Sequence, residues 1–112
     1  MNNILSILDN FTFTNADDIA SIIAKDFKKR RLEKNLTRDQ ISEMSGVAVS
    51  NIVRFEQKGL ISLKNLIGIA NALGYTTEIK NIFSEPKYST MEELAEIRKN
   101  RNKKRAYRNE KN

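Results

Sequence analysis

Between Leu36 and Leu73 the chain reads LTRDQISEMSGVAVSNIVRFEQKGLISLKNLIGIANAL, a stretch whose local signals leave little freedom in how it folds. Thr37-Arg-Asp-Gln40 has the form of a capping box, in which the Thr hydroxyl accepts the third helical amide and the Gln side chain returns to the cap. A helix over about 38–45 follows, with Ile41 and Met44 expected inward. Gly46 stands where a helix commonly ends in a left-handed residue, a conformation that Gly adopts without strain. The next helix, over about 49–57, puts Ile52 and Phe55 inward at i, i+3, leaves Ser50, Asn51 and Arg54 elsewhere on its circumference, and stops at Gly59. Ser62 then caps a helix over about 63–73, in which Leu63, Leu66, Ile67, Ala70 and Leu73 have the spacing of a buried face. Three short helices joined by tight turns must find their core in one another.

The flanks extend the same logic. Asn15 is placed to cap a helix over about 16–34, with Asp17 and Asp18 at its positive dipole end. Its expected core stripe is Ile19, Ala20, Ile22, Ile23, Phe27 and Leu32. Ahead of it, Ile4, Leu5, Ile7, Leu8 and Phe11 fall on one face of a lead helix within 1–15; covering the main domain and packing in a dimer both remain open. Residues 75–83 mix β-branched side chains with helical spacing, and a short fifth helix is favoured over a strand. Ser84 to Tyr88, around Pro86, is a turn. Thr90 with Glu93 forms a second capping box, so a last helix begins near 91 with Met91, Leu94 and Ala95 available to pack. After Ile97 the apolar pattern ends. The expectation is an all-α chain: a four- to five-helix domain at 16–83, a lead segment at 1–15, and a C-terminal helix with a basic tail at 84–112.

Composition narrows the function. The chain has 112 residues, one Pro and four Gly, which suits helices better than a turn-rich sandwich. It has no Cys and no His, which argues against disulfides, thiol redox, the usual zinc sites and imidazole catalysis. Ser84 and Lys87 match an S-x-x-K spacing, but Pro86 lies between them and no second half of an acyl-transfer site accompanies them. Glu92, Glu93 and Glu96 are what a first helical turn selects for its dipole. No enzyme activity, cofactor or metal is expected. The longest apolar run falls far below the ~20 residues of a membrane span, and a cytoplasmic protein with no membrane partner is expected.

Net charge is +6, and its placement is uneven. Residues 98–112 hold eight basic residues against Glu110, a local +7, so the other 97 carry −1. Arg98, Arg101, Lys104, Arg105 and Arg108 belong to this run, and the four arginines recur at helical spacing. A second cluster spans Lys25 to Arg38. Such placement favours a polyanionic partner such as nucleic acid. For the tail, extra phosphate contacts, a segment that folds on a partner, and a solubilising end all compete.

The stretch from Leu36 to Gly59 resembles the Xre/Cro family of helix-turn-helix repressors, with a lambda-repressor-like domain, and the likeness extends from about Ile19 to Leu73. It rests on the Thr37/Gln40 capping box, Gly46-Val47 at the turn, Ile52, Phe55-Glu56 and the apolar helix closing on Leu73-Gly74. The resemblance implies a repressor that binds a double-stranded DNA operator; because one short reading helix contacts few bases, a homodimer on a near-palindrome is expected. It implies a structural ion pair between Arg31 and Glu56, phosphate contacts from Thr37, Arg38 and Lys58, and base contacts from Val49, Ser50, Asn51 and Arg54. Ala48 departs from the Ser or Thr that relatives often carry as helix cap. Within the family the chain looks most like the HipB-type antitoxins, which implies a HipA-like kinase toxin as a partner and a dimer strand near 75–83. The long lead segment and the basic tail depart from that pattern.

Overall fold

A computed structural model describes residues 15–103. The lead helix expected over 1–15, Asn15 excepted, and the tail residues Lys104, Arg105 and Arg108 lie outside the described residues. Six helices are present among the described residues and no strand: α1 Ala16–Glu33, α2 Arg38–Ser45, α3 Val49–Lys58, α4 Leu63–Ala72, α5 Thr76–Lys80 and α6 Met91–Asn100. The chain divides into two compact units at Ile79/Lys80.

In the first unit the caps fall where side-chain chemistry places them. The Asn15 side chain accepts the Asp18 amide at 2.8 Å, and the Ser62 hydroxyl accepts the Asn65 amide at 3.1 Å. At α2 both halves of the capping box form: Gln40 N donates to Thr37 Oγ1 at 3.0 Å, and Thr37 N donates to Gln40 Oε1 at 2.8 Å. Gly46 and Gly59 end α2 and α3 at φ 76° and 69°. Gly59 is doubly constrained, because a Cβ there would lie 3.3 Å from backbone atoms of Ala20, fixing how closely the end of α3 approaches α1. Between α2 and α3, Ser45 Oγ donates to Ile41 O at 2.6 Å and accepts from Val47 N at 3.1 Å, so one hydroxyl closes the turn.

The core is small and made by all four long helices of this unit. Ala24 and Phe27 of α1, Ile41 of α2, Val47 from the turn, Ile52 and Phe55 of α3, Ile69 of α4 and Leu73 at its C-cap are buried, with Leu36, Ile61, Leu66 and Ala72 packed against them. Phe27 and Phe55 meet edge to face at 5.6 Å between ring centroids, the arrangement that aromatic quadrupoles favour.

Several core expectations are corrected. Met44 is 56% exposed, because Ile41 alone of that pair points at α4 and α3. Ile19, Ile22, Ile23 and Leu32 of α1 are exposed, and the buried positions are Ala24, Phe27 and Arg31. On α4 Leu63 is 67% exposed and Ile67 is also exposed, whereas Ile69, outside the expected stripe, is fully buried. On both helices the apolar surface is wider than the core beneath it, and the core takes only one edge. Residues 76–80 form a short helix rather than a strand, and turns follow at 81–83.

The second unit holds α6. Thr90 Oγ1 accepts the Glu93 amide at 3.0 Å, but the Glu93 carboxylate accepts from Ser89 N at 2.8 Å, so the reciprocal bond reaches one residue further back than a standard capping box. Met91 is exposed, Leu94 and Ile97 are half-buried, and Ala95 is exposed.

Candidate nucleic-acid interface

The helix α3 is fixed by its inner face. Ile52 and Phe55 are buried, and Glu56 beside them has a side chain only 1% exposed. A carboxylate taken out of water needs partners, and Glu56 has two guanidinium groups. Arg31 Nε and Nη2 of α1 donate to Glu56 Oε2 and Oε1 at 2.8 and 3.0 Å, a two-pronged pair. Arg38 Nε of α2 donates to the same Oε1 at 3.0 Å. Arg31 also donates through Nη1 to Leu36 O at 2.8 Å, which ties the α1–α2 connection into the network. Burial alone would push the Glu56 carboxyl up, but the hydrogen bonds and charges of Arg31 and Arg38 outweigh it and hold the group below its ordinary value of 4.5. One carboxylate thus joins α1, α2 and α3.

Arg38 therefore has a structural role that local pattern did not reveal. Its sequence position, the first residue of α2, points to a solvent cation at a helix start; its partner lies 18 residues away on another helix. Its side chain remains 33% exposed.

The outer arc of α3 carries different chemistry. At 100° per residue, Ser50 and Arg54 lie opposite Ile52, Phe55 and Glu56. Both are exposed, and so is Gln57, which shares their arc at i+7 from Ser50 and did not emerge from the sequence. Val49 and Asn51 occupy the two flanks. Val49 lines a cleft of about 440 Å³ together with Thr37, Arg38 and Asp39 at the amino end of α2. Asn51 and Arg54 line a second cleft, of about 400 Å³, with Leu60, Ile61, Ser62 and Asn65 at the start of α4. The capping role of Ser62 was legible; its place beside Arg54 was not. Lys58, the last residue of α3, is exposed and lines neither cleft. Of the tail cations, Arg98 and Arg101 are described; both are exposed, in the second unit.

The arrangement is a surface with two amide-rich helix starts, those of α2 and α4, flanking an exposed polar helix face. Helix amino ends carry unpaired N–H groups and positive dipole, which suits phosphate oxygens, and amide, hydroxyl and guanidinium groups on a helix suit base edges in a major groove. A family model described as helix-turn-helix matches residues 27–80. A domain of this kind marks a DNA-binding transcription regulator, and the fold over α1 to α5 is that of a lambda-repressor-like helix-turn-helix domain. No curated protein matches the chain. Among the described residues, no helix is long and apolar enough to cross a membrane.

Proposed function

We propose that this protein is a sequence-specific repressor that binds duplex DNA as a homodimer, with α3 in the major groove. The observation that carries the reading is the division of α3. Its inner face is locked by Ile52, Phe55 and the Glu56 network, while Ser50 and Arg54 are exposed on the opposite face, Arg54 beside the start of α4. Arg54 is the principal reading residue, since a guanidinium can bond O6 and N7 of guanine together. Ser50 and Asn51 supply hydroxyl and amide contacts, and Val49 suits a thymine methyl. Thr37, at the α2 cap, and the exposed part of Arg38 meet the phosphate backbone, with Lys58 beyond them. The Arg31–Glu56 pair braces the reading helix without touching DNA. The basic run containing Arg98, Arg101, Lys104, Arg105 and Arg108 adds phosphate contacts.

A single ten-residue helix reaches few base pairs, which favours two copies on a symmetric site. The test is a selection of bound duplexes from a random library with the full chain. Near-palindromes whose half-sites are about 34 Å apart support the dimeric reading. Enrichment of isolated half-sites would remove the dimer, and no enrichment would remove sequence specificity. The alternative, an antitoxin whose main task is to hold a HipA-like kinase, has less in its favour. The strand that such antitoxins imply near 75–83 is replaced here by the helix Thr76–Lys80.

A further inference from the structure

The first unit carries an apolar groove that α3 does not line. It has a volume of about 360 Å³ and runs between α1, through Ile23 and Phe27, and α4, through Leu66, with Tyr75 at one end. Ile23, at 46%, and Tyr75 are exposed, as is Ile19 one turn before Ile23. This is the surplus apolar width of α1 noted above. Two charged residues of α1, Asp26 and Arg30, also line the groove. Arg30 Nη2 donates to Glu33 Oε2 at 3.0 Å, but Arg30 Nε is buried without a hydrogen-bond partner among the described residues. Asp26 is exposed and enters none of the ion pairs among those residues. The groove thus holds a donor that lacks an acceptor and, one turn away on the same helix, a carboxylate that lacks a cation.

We propose that a second copy of this chain closes the groove, packing α1 on α1 about a two-fold axis. The proposal rests on the homodimer reading and assigns that dimer its surface. The charges select this occupant. Four residues of helix rise about 6 Å, so an axis passing between Asp26 and Arg30 brings Asp26 of each copy to Arg30 of the other. One symmetry operation supplies both missing partners, twice over, as a self-complementary patch requires. A partner of unrelated sequence would have to carry the same two charges in reversed order. The apolar rim completes the contact. Ile23 and Tyr75 of both copies leave water together and shield the two pairs, and a charge pair gains strength as water is excluded from around it.

Charge reversal tests the pairing in the full chain. Asp26→Arg and Arg30→Asp each turn both cross-pairs into like-charge contacts, and sedimentation is expected to show dimers about tenfold weaker than the parent's. An equimolar mixture of the two variants restores opposite charges at both pairs, so a heterodimer close to the parent in affinity is expected. Changes within each α1 are the same in the mixture as in the separate variants, which leaves the contact between copies as the cause. Both sites tolerate the change, since Asp26 is exposed and the Arg30 side chain is 42% exposed. Should a reversal unfold the domain, Ile23→Lys at its exposed position reads the same surface and is expected to yield monomers. Dimers as tight as the parent's in these variants, or a mixture no tighter than its components, would overturn the proposal and leave the homodimer reading in place. A parent that stays monomeric in solution and binds the selected duplex one copy at a time would remove that reading as well, with the division of α3 untouched.

Discussion

The two faces of α3 are built from the same ten residues and obey opposite rules. On the inner face both carboxylate oxygens of Glu56 are engaged, by Arg31 and Arg38, and the apolar neighbours are sealed from water. On the outer face Ser50, Arg54 and Gln57 are exposed, with Arg54 bordering the cleft at the start of α4. A reading helix needs both: side chains that exchange water for bases, and a backbone that does not shift when they do. The contrast teaches that the ion pair nearest the proposed reading surface belongs to the scaffold, and that charge alone does not mark a DNA contact.

The sharpest way to break this contrast is to remove the carboxylate. Glu56→Ala leaves Arg31, itself 5% exposed, with Leu36 O as its remaining partner. Losing one half of a buried pair typically costs about 3–5 kcal/mol, and urea unfolding is expected to show a loss of that order. A loss near that of a surface substitution, within about 0.5 kcal/mol, would mean that the network does not hold α3. The same carboxylate sets an acid limit. Its folded value lies below the ordinary 4.5, so between the two values the unfolded chain binds more protons and stability rises with pH. This contribution is complete above the ordinary value and is lost as pH falls through the folded one. Glu56→Gln should therefore be less stable than the parent at neutral pH and lose less on acidification, as urea midpoints across the acid range would reveal. Parallel acid limbs would put the titration elsewhere.

How much of this could be read from the sequence follows the range of each interaction. The capping box at Thr37, the cap at Asn15 and the stops at Gly46 and Gly59 are contacts within four residues or backbone requirements of one residue, and the helices begin and end where those signals stand. Burial is different, because periodicity defines an apolar face but not what covers it. Ile19, Ile22 and Ile23 have the spacing of a core stripe and are exposed; Ile69 falls outside the α4 stripe and is fully buried, since the true core edge is rotated by part of a turn from the apolar centre. Arg38 and Asn65 were illegible for a third reason. The partner of Arg38 lies on another helix, and the position of Asn65 beside Arg54 exists only once α3 and α4 are packed.

On the outer face the effects should be smaller and confined to binding. Arg54→Ala is expected to leave the unfolding midpoint unchanged and to lower preference for the selected site over random duplex by about 1–3 kcal/mol, the worth of one bidentate base pairing. Equal preference in mutant and parent, titrated at fixed salt, would move the reading role to Ser50 or Gln57. Deleting 98–112 offers the complementary result. Affinity should fall alike for all duplexes, and the slope of log affinity against log salt should flatten by about 0.9 for each phosphate that the tail no longer neutralises. An unchanged slope would take the basic run off the DNA.

The smallest expected effect lies at the point where the two faces meet, the start of α3. Ala48 is the cap residue there, with φ −61° and ψ 142°, the extended geometry of a cap, but no side chain to accept an amide of the first turn. The amides of Asn51 and Ile52 both turn to Ala48 O, at 3.0 and 3.2 Å, so the first turn closes on backbone alone. Ala48→Ser supplies the missing acceptor without altering either face and should stabilise the fold by about 1 kcal/mol. Its effect on DNA then separates two conditions of the free protein. If the first turn is already ordered, the gain appears in unfolding and site affinity is unchanged. If the turn orders only against the groove, the substitution removes part of that ordering cost and site affinity rises by up to about fivefold, since about 1.4 kcal/mol corresponds to tenfold. The locked inner face of α3 favours the first outcome, because Ile52, at the fourth position of the helix, is already fully buried.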